Sequence, residues 1–366
     1  MAFNLCGSFG FGNVGDEAVP IAISQMLDIE PTIDFNIIGR FNNPALENVI
    51  GIGDKDVNRR NKIRGNQLVF SGGGIIENNY SCSLFKCEDL ITTDFSSSSF
   101  FYAVSVEPYV DYGWNLKRKL KRLLKDNVVY VRDVLSAQVL SELLPKQAVE
   151  LIGDSVLWAS YQADINGFNI SELPLTFIAV TCAPRWQNDK RWVEWMARQL
   201  VNLSIELKVD ILFVPMSSDY DDDRLVHKDI ANRIFELNAN IKTYQIVSPL
   251  SVNDICGIFE KAELVISMRL HGCVMAYAQK TPFIGLAYHP KLFGFAKTVG
   301  WESFLIPGSL PTKQSRGEYG YGVKDISRIF DVNIVDKAVE SMAFNDFSKL
   351  EILKQKQFEC MKKNLI

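Results

Sequence analysis

Short apolar runs alternate with amphipathic stretches along most of the chain. In the first half, six apolar runs have the length of buried strands, and three stretches carry apolar residues at helical spacing. The predicted strands span residues 2–6, 35–39, 67–71, 101–106, 128–132 and 149–153, and the predicted helices residues 16–28, 113–125 and 134–144. This alternation is typical of βαβ units built on a parallel sheet.

A second alternating set follows a polar segment at residues 161–174, which lacks periodicity and indicates an interdomain linker. The strands of this set are predicted at residues 175–182, 210–216, 242–247, 263–268 and 281–288, and its helices near residues 190–207, 221–237, 251–261 and 272–280. We therefore expect an α/β protein with two Rossmann-like domains facing across a cleft, residues 1–160 and residues 175–366. The second domain would include the C-terminal helices. Ligands of open α/β sheets bind outside the carboxyl ends of the strands, so polar residues there are the candidates for function.

Composition agrees with this picture and excludes several classes of protein. The 366 residues suit two domains, and a hydrophobic fraction of 47% excludes intrinsic disorder. With 39 Lys and Arg against 43 Asp and Glu, the net charge of −4 argues against nucleic acid as a partner. Seven cysteines without a C-x-x-C pair indicate reduced thiols, and only three histidines argue against a His-rich metal centre.

The N-terminal sequence carries no basic residue ahead of its apolar stretch, so it does not resemble a secretory signal. No window approaches the roughly 18 apolar residues that cross a bilayer. We expect a cytoplasmic protein. Peripheral contact with the inner face of the membrane stays open because residues 114–126, WNLKRKLKRLLKD, contain six basic residues. This segment is either a helix with solvated lysines, packed through its leucines, or a surface that docks on anionic lipid.

The loop after the first strand, FGFGNVGDEA, is rich in glycine and ends in two acids, Asp16 and Glu17. It fits the G-x-G-x-x-G spacing of dinucleotide-binding loops. However, two carboxylates at the start of the following helix would repel a pyrophosphate. Two interpretations stay open, namely an acidic first helical turn or a platform that brings Asp16 or Glu17 to a polyhydroxylated ligand. A second glycine-rich turn, SGGGIIEN at residues 71–78, would let backbone N–H groups approach a ligand.

Arg269 and His271 begin a largely apolar helix directly after a buried strand. Burying them is costly unless an anion compensates the charge, and at a helix N-terminus that anion can be a phosphate or carboxylate of a ligand. The alternative is an arginine paired with an acid of its own chain. Arg132, Arg185 and Lys291 also follow predicted strands. Together these cations suit a small, highly charged anion.

Five segments in this order resemble the polysaccharide pyruvyl transferase family: FGFGNVGDEA, SGGGIIEN, YAVSVEP, VRDVLS and ISMRLHGCVMAYAQKTPFIGLAYHPK. The resemblance covers essentially residues 4–300, and its most specific part is the R-L-H motif with Tyr288 and Lys291 downstream. It implies a GT-B-like architecture and transfer of an enolpyruvyl unit from phosphoenolpyruvate onto two hydroxyls of a sugar. The products would be a cyclic pyruvate ketal and phosphate. Phosphoenolpyruvate is then a substrate, and neither a resident cofactor nor a metal is expected.

The resemblance also implies roles for individual residues. Arg269 and His271 match the donor-binding and catalytic pair. The donor site is expected to comprise Arg269, Leu270, His271, Arg185, Lys291 and Arg132. The acceptor site is expected to comprise Asn13, Asp16, Glu17, Gly73 and Glu77. One departure is YAVSVEP, which carries Ser105 and Glu107 where many members have the glycines of Y-A-x-G-x-G-P. The acceptor preference therefore stays open.

Three functions compete at this point. The first is a pyruvyl transferase acting on a polysaccharide, such as an exopolysaccharide or capsule, or on its lipid-linked precursor. The second is a GT-B glycosyltransferase that uses a nucleotide sugar. The third is a saccharide- or phosphate-binding module without turnover. One fold hosts many functions, so fold alone does not separate them.

Overall fold

The computed structural model is built on two parallel sheets. It describes residues 3–7, 9, 12–29, 35–39, 51–53, 67–72, 74–76, 99–107, 113–124, 127–163, 169, 173–218, 221–307 and 327–365. The predicted linker and the glycine-rich segment at residues 71–78 therefore lie only partly within the described residues. The predicted class, an α/β fold with two Rossmann-like halves, is confirmed.

The first sheet belongs to the N-terminal half, and all its strand pairs are parallel. Its described strands are β1 (Phe3–Cys6), β2 (Phe35–Gly39), β3 (Gly51–Gly53), β4 (Gln67–Phe70), β5 (Gly74–Ile76), β6 (Ser99–Val106), β7 (Val129–Val131) and β8 (Val149–Leu151). Their order is β3-β2-β1-β4-β6-β7-β8, with β5 paired to β6. The sheet reverses its direction of growth between β1 and β4.

The second sheet is also entirely parallel. Its described strands are β9 (Phe177–Thr181), β10 (Asp210–Phe213), β11 (Thr243–Gln245), β12 (Leu264–Ser267), β13 (Phe283–Ala287) and β14 (Leu305–Pro307). Their order is β11-β10-β9-β12-β13-β14, so the strands that follow β9 in the chain lie first on one side of it and then, from β12 onward, on the other. The central strands β9, β12 and β13 are buried at every position, as expected for strands covered on both faces.

Helices connect the strands and cover the sheets. Those described are α1 (Val14–Leu27), α2 (Trp114–Leu123), α3 (Val134–Leu143), α4 (Lys190–Leu207), α5 (Asp223–Leu237), α6 (Val252–Lys261), α7 (Leu270–Ala278), α8 (Pro290–Val299), α9 (Ile334–Phe344) and α10 (Ser348–Leu365). At the N-caps of α1, α3, α4, α5, α6, α8 and α9, a side chain accepts a hydrogen bond from a backbone N–H group that the helix leaves free. Ser251 and Asp254 form a complete capping box at the start of α6.

The two halves contact each other closely around α7. All residues from Leu270 to Tyr277 are buried. The helix packs against α1 and against a short 3-10 helix, Ser155–Trp158, both from the first half. A backbone hydrogen bond from the Val14 N–H to the Met216 carbonyl, 2.9 Å, also joins the glycine-rich loop to the second half. The cleft between the sheets is therefore narrow near the start of α1.

The last helix, α10, returns to the first half of the chain. Gln357 is buried, and its Nε2 donates to the carbonyls of Ile152 (3.1 Å) and Asp154 (2.9 Å). Gln67 Nε2 donates to the carbonyl of Asn364 at 2.7 Å. The sequence-based division placed this helix with residues 175–366, yet these hydrogen bonds go to the first sheet and the turn after β8.

The eleven predicted strands and seven predicted helices each match an observed element, with ends that differ by up to three residues. The prediction missed β3, β5 and β14, three-residue strands whose sequences GIG, GII and LIP each include a glycine or a proline and so do not form a recognisable apolar run. In the part of the chain that the structure describes, no helix combines the length and apolar character needed to span a membrane. The five described cysteines are all buried thiols.

Candidate active site

The predicted site residues follow strands whose carboxyl ends face the cleft, several of them at the two points where strand order reverses. Asp16 follows β1 in the first sheet, and Arg185 and His271 follow β9 and β12 in the second. Crevices outside a reversal of strand order are the usual ligand sites of open α/β sheets. The side chains form two groups: the histidine site (His271, Asp154, Arg132, Asp16 and Lys291) and the arginine–aspartate cluster (Arg185, Arg269, Asp221 and Asp223).

The imidazole of His271 lies against the start of α1. A Cβ on Gly15 would be only 2.2 Å from its Nδ1 and 2.5 Å from its Cβ and Cγ. Real Cβ atoms do not approach this closely, so only glycine fits at this position of the loop. Gly15 is held in turn by Asn13, whose side chain accepts a hydrogen bond from the Gly15 N–H at 3.1 Å. The glycine-rich loop of the first half therefore forms a wall of the histidine pocket of the second.

On the other side of the ring, Nε2 of His271 faces Oδ2 of Asp154 at 3.7 Å. Both atoms are buried, and among the described residues neither has a hydrogen-bond partner. Asp154 Oδ2 also lies 3.7 Å from Nη1 of Arg132, whose Nε donates to Asp133 at 3.2 Å. Arg132 itself is buried at the end of β7. A buried histidine, a carboxylate and a guanidinium thus meet at the cleft with incompletely satisfied polar atoms.

Electrostatics keep His271 neutral. Burial lowers the pKa of His271 below its ordinary value, and this effect outweighs the carboxylates of Asp154 and Asp16, which raise it. The positive charges of Arg132 and Lys291 lower it further. A neutral imidazole can accept a proton from a hydroxyl group, whereas an imidazolium cannot.

The two acids at the end of the glycine-rich loop have different surroundings. Asp16 is half-buried, and its Oδ2 accepts a hydrogen bond from Asn13 Nδ2 at 3.0 Å. Its charge acts on His271, so it belongs to the histidine site. Glu17 is fully buried. Of the two, only Asp16 is accessible to a ligand in this arrangement.

A second buried pair joins the two halves beside Lys291. His289 Nε2 lies 2.9 Å from Glu107 Oε1, while its Nδ1 accepts the Lys291 N–H and caps α8. The proton therefore sits on Nε2 and is donated to the carboxylate. Burial lowers the pKa of His289 to about 4. Burial would raise the pKa of Glu107, but His289, Lys291 and Arg132 together lower it. Glu107 of the YAVSVEP segment is thus an interdomain contact.

Arg269 lies in the arginine–aspartate cluster. Its guanidinium contacts Asp223 closely, donates to Asp221 Oδ2 at 3.2 Å, and shares Asp221 with Arg185. Asp223 is fully buried, and burial raises its pKa to about 6 despite the arginine. Nε of Arg269 is buried and has no hydrogen-bond partner within the described ranges. The alternative interpretation from sequence, an arginine paired with acids of its own chain, is what the structure shows.

The predicted residues that the structure describes lie in or next to these two groups, and two others cannot be placed. Gly73 and Glu77 lie outside the described residues. Leu270 is buried between Arg269 and His271 in the first turn of α7, and Arg185 is half exposed. Within the described ranges, no group of three or more His, Cys, Asp or Glu side chains is arranged to hold a metal ion.

Sequence reasoning missed Asp154 and the acids after β10. Asp154 follows an edge strand of three residues, and the signal that could have found it is the Gly153–Asp154 pair at a strand end. Gly153 has φ of +91°, a left-handed turn that aims the next side chain into the cleft. Asp221 and Asp223 stand in an acidic run that looks like an ordinary helix N-terminus.

Comparison with known proteins now decides the family. A family model described as polysaccharide pyruvyl transferase matches residues 13–290, which is more than half of the chain. The chain belongs to the polysaccharide pyruvyl transferase family. The match includes residues 13–18 of the glycine-rich loop, Arg132, Asp154 and the R-L-H motif, and it identifies the protein as an enzyme of polysaccharide biosynthesis. The resemblance noted in the sequence is confirmed. No curated protein sequence gives a significant match.

Solved structures with the same architecture confirm the GT-B-like fold. A UDP-GlcNAc 2-epimerase from Neisseria meningitidis bound to UDP-GlcNAc aligns with a TM-score of 0.57 at 10% identity, covering 100% of this chain and 99% of its own. One from Methanocaldococcus jannaschii gives 0.52 at 11% identity, covering 91% and 93%. A glycosyltransferase from Rickettsia africae gives 0.50 at 14% identity, covering 100% and 98%. At such low identity these matches establish the fold and nothing about the reaction.

Proposed function

We propose that this pyruvyl transferase uses phosphoenolpyruvate as donor and forms a cyclic pyruvate ketal on two hydroxyls of a saccharide, releasing phosphate. The observation that carries the proposal is the buried Nε2 of His271, in the first turn of α7, which is unsatisfied among the described residues. Burial lowers the pKa of this histidine, which favours the neutral imidazole. Membership of the family supports the class of reaction, and the histidine supplies the group that the reaction needs.

The proton balance of ketal formation suits a single shuttling base. Two sugar hydroxyls lose two protons in total. One proton ends on the methylene carbon of the donor, which becomes the methyl group of the ketal, and the other leaves with phosphate. A neutral imidazole can take a hydroxyl proton and return it to the methylene carbon, so that it is regenerated within each turnover.

The donor carries a phosphate and a carboxylate, and the candidate partners are Arg132 and Lys291 of the histidine site. A buried arginine can bind either group through two parallel hydrogen bonds. In the unliganded protein Arg132 contacts Asp133 and Asp154, so donor binding would require it to exchange or share these partners. To bind the donor, Arg269 and Arg185 would likewise have to exchange or share their contacts with Asp221.

On the acceptor side, Asp16 would bind sugar hydroxyls. Its carboxylate repels phosphate and carboxylate groups, whereas it accepts hydrogen bonds from hydroxyls. Asp16→Ala is therefore expected to raise the acceptor KM or abolish transfer while the affinity for phosphoenolpyruvate is retained. Loss of donor affinity alone would contradict this role.

The acceptor would be carried on a lipid at a membrane surface, and helix α2 supplies a matching contact. Trp114 is 71% exposed, and Arg118 lies over its ring at 5.0 Å. Lys117, Lys119, Lys121 and Arg122 are exposed as well, while Leu120 and Leu124 are buried. Basic side chains near anionic lipid contribute about 1 kcal/mol each, and tryptophan favours the interface. The leucines thus hold the helix on the sheet and leave its basic face for lipid.

Phosphate release from phosphoenolpyruvate, measured with a panel of lipid-linked and nucleotide-linked saccharides, tests the proposal. The expected product is the acceptor plus one pyruvate minus one water, by mass spectrometry. His271→Asn should keep donor affinity and lower kcat by about 10²–10⁴. Release of UDP from a nucleotide sugar without use of phosphoenolpyruvate would favour a glycosyltransferase instead, and binding of saccharide without turnover would favour a binding module.

A further inference from the structure

The turn after β8 brings a carboxylate to His271 that neither the sequence motifs nor the family match assigns to a function. Asp154 is buried, and its two oxygens have different surroundings. Oδ1 accepts the Val156 N–H at 3.0 Å and caps the 3-10 helix Ser155–Trp158. Oδ2 faces the imidazole of His271 and has no hydrogen bond in the described part of the chain.

The turn that carries Asp154 is fixed by the backbone conformation of Gly153 and by the side chain of Gln357. The left-handed conformation of Gly153 turns the chain, and a Cβ there would lie 3.1 Å from Gln357 Nε2. Gln357 is itself buried in α10 and donates to the Asp154 carbonyl. A glutamine from the last helix thus holds the backbone of a residue whose side chain contacts a helix of the second domain.

From this geometry we propose that Asp154 is the positioning residue for His271. The carboxylate accepts a hydrogen bond from Nε2–H when the 3.7 Å contact shortens on ligand binding, and this hydrogen bond orients the ring. It also stabilises the imidazolium formed after a hydroxyl is deprotonated. Hydrogen bonds at active sites are often long before the ligand binds. The inference rests on the proposed function of His271 as proton carrier.

Placing a charged carboxylate beside a buried imidazole has a measurable consequence independent of catalysis. The charged groups acting on His271 are Asp154, Asp16, Arg132 and Lys291. Removing the charge of Asp154 leaves two cations and one carboxylate, so protonation of His271 becomes less favourable. An opposite charge within 4–6 Å commonly changes a titration midpoint by about 1–3 pH units.

Asp133 provides a matched control. Like Asp154 it is a buried aspartate, caps a helix through Oδ1 and contacts Arg132 through Oδ2. Unlike Asp154, however, it is not among the charged groups that act on His271. Asp154→Asn and Asp133→Asn each retain an oxygen for the capping hydrogen bond and remove one charge beside Arg132. Only the first removes a charge beside His271.

The experiment follows His271 by NMR in protein labelled at histidine, where three histidines give three resolvable ring signals. We expect Asp154→Asn to lower the titration midpoint of His271 by about one pH unit or more, while Asp133→Asn and Asp154→Glu leave it near the wild-type value. In the pyruvyl transfer assay, Asp154→Asn should lower kcat about 10²-fold or more and affect the KM for phosphoenolpyruvate no more than Asp133→Asn does.

An unchanged midpoint of His271 in folded Asp154→Asn would overturn the inference, even if kcat fell, because the loss would then be structural. A change of equal size in Asp133→Asn would also overturn it, since the effect would pass through Arg132. A lowered midpoint in a protein that never transfers pyruvate would refute the proposed function and still support Asp154 as the partner of His271.

Discussion

Gly15→Ala adds one methyl group at the narrowest part of the histidine pocket. The new Cβ would be 2.2 Å from Nδ1 of His271, whereas ordinary contact begins at 3.4 Å. The imidazole or the start of α1 must therefore shift by about 1.2 Å. A misplacement of about 1 Å in a catalytic geometry costs roughly 10²-fold in rate. We expect kcat for phosphate release to fall by that factor.

Stability gives an independent measure of the same overlap. Alanine is favoured over glycine in a helix by about 0.5–1 kcal/mol, so helix propensity alone predicts a more stable protein. Overpacking a buried site costs about 1–3 kcal/mol. Urea denaturation should therefore show a net loss of about 1–2 kcal/mol, and the NMR signal of His271 should move while those of His227 and His289 do not.

Gly113→Ala is the control. Gly113 precedes helix α2, and a Cβ there meets no atom within 4 Å. This variant should retain wild-type kcat and the His271 signal. Gly15→Ala with unchanged kcat and a stability gain of about 0.5–1 kcal/mol would refute the reasoning. It would show that the position of the His271 imidazole does not require the absence of a side chain at residue 15.

Three further predictions concern other parts of the molecule. Arg269→Ala leaves Asp223 buried without its cation and should lower the free energy of unfolding by about 3–5 kcal/mol; unchanged stability in urea would show that the arginine is available for ligand. Acidification should also destabilise the protein, by about 1–2 kcal/mol per pH unit between pH 6 and 5. The unfolded chain protonates His227 and His289 below about pH 6.5, whereas burial lowers their folded pKa values to about 3 and about 4. Asp223, with a folded pKa of about 6, binds a proton in the folded state and offsets part of this loss; a flat or rising stability on acidification would contradict the prediction. Finally, the protein should float with anionic but not neutral vesicles, and less so at high salt or with Lys117, Lys121 and Arg122 changed to Glu; wild type that never floats at low salt would remove the membrane contact.

The sequence predicted the strands well because their apolar runs are continuous and their ends are marked by polar residues. The same pattern located His271 and Arg132, since each directly follows a buried strand. Asp154 also follows a predicted strand, but its contact with His271, 117 residues away in the chain, is a tertiary contact that no local pattern shows.

The partners of Arg269 could not be predicted either. Asp221 and Asp223 are 48 and 46 residues away in the chain, and only the parallel pairing of β9 with both β10 and β12 brings them together. An acidic run at a helix start has a local explanation in the helix dipole, which hides its tertiary role. Docking of α10 on the first sheet is likewise a long-range contact without a local pattern.

The contact of α10 with the first half of the chain can form only late in synthesis on the ribosome. Gln357 and Asp154 are 203 residues apart, and at about 5–20 residues per second the glutamine emerges on the order of 10–40 s after the aspartate. Until then the turn after β8 lacks the hydrogen bonds from Gln357. Closing so long a loop carries an entropic cost, so we expect this docking to come late in folding. The carboxylate beside His271 is therefore among the last parts of the molecule to be fixed, and a stalled or shortened chain would expose apolar surface to chaperones before any active site exists.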